Sequence, residues 1–136
     1  MRKLLVFFFT SIVSVPTIAY LFNDYSLPAN LGLLGFISLY VIPLILLYGV
    51  PISIFSDKVT LKISGFIRFV CAFFIHLFFG FVFACLFALI TDFSLLTPLN
   101  DPIDRFILLG ASGTSIVFWL IDELLRYRYK KKDLLY

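Results

Sequence analysis

The chain has 136 residues, of which 62% are hydrophobic and only 14% charged, and its mean hydropathy is +1.07. A soluble domain of this size buries only about two-thirds of the surface its unfolded chain exposes, too little to hide so much apolar area, so a soluble globular fold is excluded and a bilayer is the fitting solvent. A net charge of +3 does not make the chain a nucleic-acid binder, because its basic residues flank apolar runs instead of forming one face.

Residues 4–22 form the first apolar run, preceded by Arg2 and Lys3 and interrupted only by hydroxyls and Pro16. A basic start before an apolar stretch also opens a secretory signal, and Thr17-Ile18-Ala19 has the small residues of a cleavage site. A signal's apolar core is usually about 7–15 residues, however, and this run continues past Ala19, so an uncleaved first span is expected. Asn23 to Asn30 reads as a turn. The second span covers 31–54 and carries Gly32, Gly35, Pro43, Gly49 and Pro51. Pro43 removes one backbone hydrogen bond near mid-span and crowds the carbonyl of Leu39, so a bend is expected, of ordinary structural origin more than as a gating hinge. Residues 55–65, with Asp57, Lys58 and Lys62, lead into the third span.

That third span, 66–90, has nine Phe and, as its one charge, Arg68. As a helix it would be roughly 37 Å long, enough to cross a hydrocarbon core of about 30 Å. Ala72, His76, Gly80, Ala84 and Ala88 recur every fourth residue and share one ridge. After a turn over 91–102, the fourth span covers 103–121, with Asp104 at the positive end of its helix dipole. A charged tail, 122–136, follows. Asp122 and Arg126 are spaced for an ion pair on one helix face, and Trp119, Tyr127 and Tyr129 suit the aromatic belt at the membrane surface.

Lys and Arg set orientation. Ten of the eleven gather on one side, with Arg105 on the other, whereas the eight acids divide four and four. The expectation is an all-α, four-span transmembrane bundle forming one domain over 1–136, with both termini cytoplasmic and each helix antiparallel to the one before. The basic tail is then a topology anchor that touches anionic lipid. The two halves share no Gly or Pro pattern, which counts against an inverted-repeat transporter.

His76 is the one ionisable acid–base group near mid-membrane, and such a group asks for a functional explanation. Ser14 and Ser112 sit at about its depth and are expected to orient it. No carboxylate accompanies it there, and Cys71 is the only nearby metal-type ligand, so a metal centre lacks its three or four donors. Interhelical hydrogen bonding is the plainer role. Cys71 and Cys85 lie about 21 Å apart along one helix, too far to bridge, and read as packing residues. Gly80-x-x-x-Ala84, and Gly110 with Thr114 and Ala111 with Ser115, supply small surfaces on which membrane helices approach closely. A close contact of the third and fourth spans around Gly80 and Ser112 is therefore expected. A polar conduit through Ser14, Thr10, Ser112, Thr114 and Ser115 is the sharper alternative.

No P-loop, H-E-x-x-H or G-x-S-x-G is present in the sequence, so nucleotide hydrolysis and the familiar proteases lack their parts. Small four-helix multidrug exporters carry a carboxylate in the first helix, and residues 4–22 have none. No catalytic, cofactor or metal residue is assigned. The candidate polar and packing set is His76, Gly80, Ala84, Ser14, Gly110, Ser112 and Thr114.

The Met1-Arg2-Lys3-Leu4-Leu5 start, the Phe-rich spans and the Asp122-Glu123-Leu124-Leu125-Arg126 exit into a basic tail resemble a family of small, functionally uncharacterised multi-pass membrane proteins of Bacillus-like bacteria. The resemblance covers the whole chain and implies an integral protein of the bacterial plasma membrane, with no site residues to carry over. The expected function is non-enzymatic association, with itself or another membrane protein, in an immunity or assembly role. The alternative is a small oligomeric pore, holin-like protein or transporter. The expected partners are the lipid bilayer and a membrane protein, not nucleic acid, and no cofactor is expected.

Overall fold

The computed structural model describes residues 1–23, 31–90 and 102–133, with side chains described over 1–23, 31–87 and 107–129. The turns expected over 24–30 and 91–101, the side chains of Ala88, Asp104 and Arg105, and those of 130–136 lie outside the described residues. All regular structure among the described residues is helical: α1 (Arg2–Phe22), α2 (Leu31–Leu44), a π-helical turn (Ile45–Gly49), α3 (Val50–Val59), α4 (Gly65–Ile90) and α5 (Pro102–Asp133). Because α2, the π turn and α3 run on as one rod, four stretches among the described residues are long and apolar enough to cross a membrane: Arg2–Phe22, Leu31–Val59, Gly65–Phe87 and Ile107–Tyr129.

Two boundaries differ from those read in the sequence. The second span continues to Val59 instead of ending near 54, and α5 runs through the charged tail to Asp133. The cause is the same in both places. Ser53 and Asp57, like Asp122, Glu123 and Arg126, find partners on neighbouring helices, so these polar turns stay helical instead of unwinding into water.

The irregularity in the second span lies between its two prolines rather than at Pro43 itself. Proline cannot donate a backbone hydrogen bond, and its ring crowds the carbonyl four residues back. A single π turn before Pro51 makes room for that ring, and Val50 N–H reaches five residues back to Ile45 O. Tyr48, on the π turn, donates its hydroxyl to Phe79 O of α4 at 2.8 Å. The widened turn is thereby tied across the bundle.

α3 closes at Thr60, whose N–H and hydroxyl both bond Ser56 O, at 3.0 and 2.7 Å. The chain then reverses at Gly65, whose φ of +68° lies in the left-handed region that favours glycine. The helices form a ring: α1 packs against α2 and α5, α5 against α4, and α4 against α3. Val15, Ile18 and Ala19 of α1 pack with Ile37 of α2 in one half of the interior. Val6, Ile45 and Phe118 form the centre of the other half. The outer surface is apolar, with Phe8, Ile12, Leu39, Leu47, Phe74 and Phe78 exposed, as a lipid-facing surface requires.

Candidate functional site

One end of the bundle gathers charges from four helix segments. Asp57 of α3 is the hub. Its Oδ1 accepts from Arg126 Nη1 at 2.6 Å, with Arg68 Nη2 at 3.4 Å, and its Oδ2 meets Lys3 Nζ at 2.8 Å and the Arg2 guanidinium. Asp122 of α5 is nearly fully buried and takes Lys3 Nζ at 2.7 Å and the Ser53 hydroxyl at 2.6 Å, with Arg2 Nε at 3.3 Å. Lys3 also donates to the Ser53 hydroxyl. Arg68 of α4, 8% exposed, donates to both Glu123 oxygens at 2.7 Å. Four cations thus enclose three carboxylates, and each carboxylate is held across helices. A buried charge is tolerable only when paired and hydrogen-bonded, so this cluster fixes helix order and register more than it adds stability. It also brings the start of α1, the end of α3, the start of α4 and the charged part of α5 to one end, which makes successive spans antiparallel.

This cluster overturns the expected Asp122–Arg126 pair. Those residues do sit one turn apart on α5, but Asp122 turns to α1 and Arg126 to Asp57. Interhelical partners in a drier setting outcompete the exposed pair along one helix, which contributes only a few tenths of a kcal/mol. Trp119 is corrected too. It does not face the lipid surface but is 8% exposed, wedged between Phe69 and Phe73 of α4 with ring centroids 4.7 and 4.9 Å away. Tyr127 is exposed.

The small ridge of α4 faces inward. Ala72, His76, Gly80 and Ala84 are all buried. A Cβ on Gly80 would overlap the Ser115 hydroxyl, lie 2.8 Å from Ser115 Cβ and 3.4 Å from Ala111 O. α4 and α5 therefore touch where Gly80 lacks a side chain. The opposing residues are Ala111 and Ser115, not Ser112. Ala111 and Ser115 stack four apart on one face, and Ser112 is turned about 100° away from Ala111. Counting depth along the helix places a residue's level but not its face.

Gly110 faces α1, where a Cβ would sit 3.9 Å from Ile18 Cγ1. Ser14 and Thr10 of α1 are buried, and neither Oγ atom has a hydrogen-bond partner. The expected hydrogen bond from Ser14 or Ser112 to His76 does not form. His76 Nδ1 lies 2.9 Å from Ala72 O of its own helix, its ring stacks on Phe118 at 5.9 Å, and Nε2 has no partner. Thr114 lines a cavity, open on one side, with His76, Gly80 and Gly110.

That cavity, of about 420 Å³, is lined mainly by apolar side chains of α2, α4 and α5, with Tyr48 of the π turn. Its volume falls in the range of small-molecule sites, about 300–1,000 Å³. Its edge is formed by exposed residues of α1 and α2, Phe22, Phe36 and Tyr40. α2 packs on α1 and α4 packs on α5 and α3, so the open seam lies between α2 and α4. Phe118 and His76 form the other wall, and Trp119, Phe69 and Phe73 lie beyond it toward the charged end. A second concavity, an open groove of about 540 Å³ between α1 and α2, is lined by Ser11, Pro16, Gly35 and Ser38 among apolar residues.

The charged cluster and the cavity were both missed in the sequence. The sequence pairs Asp122 only with Arg126 and gives Asp57 and Glu123 no partner, and only the joint occurrence of these acids with Arg2, Lys3 and Arg68 at one end of an antiparallel bundle hints at a network. The cavity has no sequence signal, because it depends on how α2 diverges from α4. No protein-family model, curated protein or solved structure matches this chain.

Proposed function

We propose that this chain is a non-enzymatic four-span protein of the bacterial plasma membrane, with both termini in the cytoplasm. It works by packing the groove between α1 and α2 against a helix of a second copy or of another membrane protein. The cytoplasmic assignment rests on the bias of Lys and Arg toward the end that carries the ion-pair cluster. Membership in the family of small Bacillus-like multi-pass proteins, and an immunity or assembly role, accord with this reading.

The observation that carries it is the groove around Gly35, where an added Cβ would meet nothing within 4 Å. Ser11 and Ser38 flank it, and their hydroxyls are bonded to Phe7 O and Gly35 O of their own helices, each at 2.8 Å. The groove therefore offers short side chains without unmet hydrogen bonds. Lipid tails compete well for Leu or Phe, so helices in a bilayer associate by close packing at such small residues. In a chain with Cys71 and Cys85 replaced by Ala, Ser38→Cys should give a disulfide-linked dimer, or an adduct with one other membrane protein, in native membranes. Adding Gly35→Leu should abolish it. A monomer alone, or an adduct indifferent to Gly35→Leu, contradicts the reading.

A pore or transporter is the second reading, favoured by the unpartnered hydroxyls of Thr10 and Ser14 in the interior. Proton and ion flux in liposomes across about pH 5 to 8, the range in which imidazole titrates, separates the two. Flux that vanishes in His76→Ala favours transport, and no flux in either form favours association.

A further inference from the structure

We propose that the turn joining α3 to α4 is a docking surface for anionic phospholipid, with its lysines at the phosphates and its apolar side chains among the first acyl carbons. The proposal rests on the membrane placement given above and not on the association groove.

The ion-pair end of the bundle carries more cations than its own acids neutralise. Arg2, Lys3, Arg68 and Arg126 are taken up by Asp57, Asp122 and Glu123. Lys58, in the last turn of α3, and Lys62, in the turn that follows, are exposed and enter no ion pair among the described residues. The turn is tight, with Leu61 N–H at 3.4 Å from Lys58 O and Ile63 N–H at 3.1 Å from Thr60 O.

Large apolar side chains stand beside these free cations. Leu61, Phe66 and Ile67 are 74%, 78% and 66% exposed. Lysines interleaved with Leu and Phe suit the boundary between headgroups and acyl chains. Depth agrees. α4 has 26 residues, about 39 Å of helix against a hydrocarbon core of about 30 Å. Ion pairs are costly inside hydrocarbon, so the surplus length lies at the end that holds Arg68. Phe66 and Ile67 are within about 3 Å of Arg68 along the axis, at that same boundary. A phosphate there meets free ammonium groups, each of which strengthens the attraction about fivefold. Nucleic acid or an acidic protein would use the lysines but leave the three apolar side chains in water.

The probe is phosphatidylglycerol carrying a diazirine near the ester end of its acyl chain. With the full chain in phosphatidylcholine nanodiscs, light should label residues 61–67. Unlabelled phosphatidylglycerol should compete, and added phosphatidylcholine should not. Lys58 and Lys62 have no partner to lose, so Lys58→Gln and Lys62→Gln should leave the fold intact. Each should lower labelling of the turn about fivefold, while labelling of α5 around Tyr127 stays unchanged. Equal labelling from a phosphatidylcholine carrier, or turn labelling that survives both substitutions together, would overturn the proposal. A turn indifferent to lipid charge that binds a polyglutamate peptide belongs to an acidic protein, which overturns it as well. A chain that enters no nanodisc would overturn the membrane placement and this proposal with it.

Discussion

Lys3 Nζ lies 2.7 Å from Asp122 Oδ2, joining the first turn of α1 to the charged part of α5 across almost the whole length of the chain. Ser53 completes the arrangement by donating to the same carboxylate oxygen at 2.6 Å, so α1, α3 and α5 meet at one atom. An interface made only of Leu and Phe would let helices slide or exchange places in lipid, where apolar contacts discriminate little. A buried carboxylate with fixed donors does not permit that. The cluster therefore sets which helix neighbours which, and the small ridge then sets how closely they approach.

Gly80 and Gly113 make a paired test of that approach. An added side chain at Gly80 meets Ser115 and the backbone of Ala111, whereas one at Gly113 meets nothing within 4 Å. Gly80→Leu should lose about 1–3 kcal/mol through overpacking, and Gly113→Leu should stay within about 0.5 kcal/mol of the parent. Reversible unfolding in mixed micelles gives both values. Equal losses would mean that α4 and α5 do not touch where described.

Tyr48 ties the π turn to α4 through Phe79 O. Removing only the hydroxyl in Tyr48→Phe should cost about 1 kcal/mol, the net worth of one such bond, and leave the ring's contact with Phe83, 5.2 Å between centroids. Hydrogen exchange at α3 amides should rise in the variant. Unchanged exchange would indicate that the π turn is held by the prolines alone.

Sidedness is measurable at Tyr127, an exposed position on α5. With Cys71 and Cys85 replaced by Ala, Tyr127→Cys should react with a membrane-impermeant maleimide only in inverted vesicles. Reaction in intact cells would place the ion-pair cluster outside the cytoplasm.

Helix type and span number were legible because apolar runs of membrane length allow few alternatives. The inward ridge of Ala72, His76, Gly80 and Ala84 was legible for the same reason, since small residues at a spacing of four must share a face. What escaped were facts about faces and neighbours. Ser115 opposes Gly80 because of a rotation of α5 about its axis that residue counting cannot supply. Arg126 pairs with Asp57, not Asp122, because α3 remains helical for a further turn. Trp119 turns inward because Phe69 and Phe73 offer it a slot. Each of these follows from the tertiary arrangement, and no local pattern encodes it.

The most direct measurement is a double-mutant cycle on Lys3→Met and Asp122→Leu, with unfolding free energies measured in the same mixed micelles. Each single change leaves a buried charge with fewer partners and should cost about 3 kcal/mol. Removing both leaves apolar side chains of similar bulk, so the double variant should be no less stable than either single one. Strictly additive losses would mean that Lys3 and Asp122 do not meet, and the ring of α1, α3, α4 and α5 around one charged end would have to be redrawn.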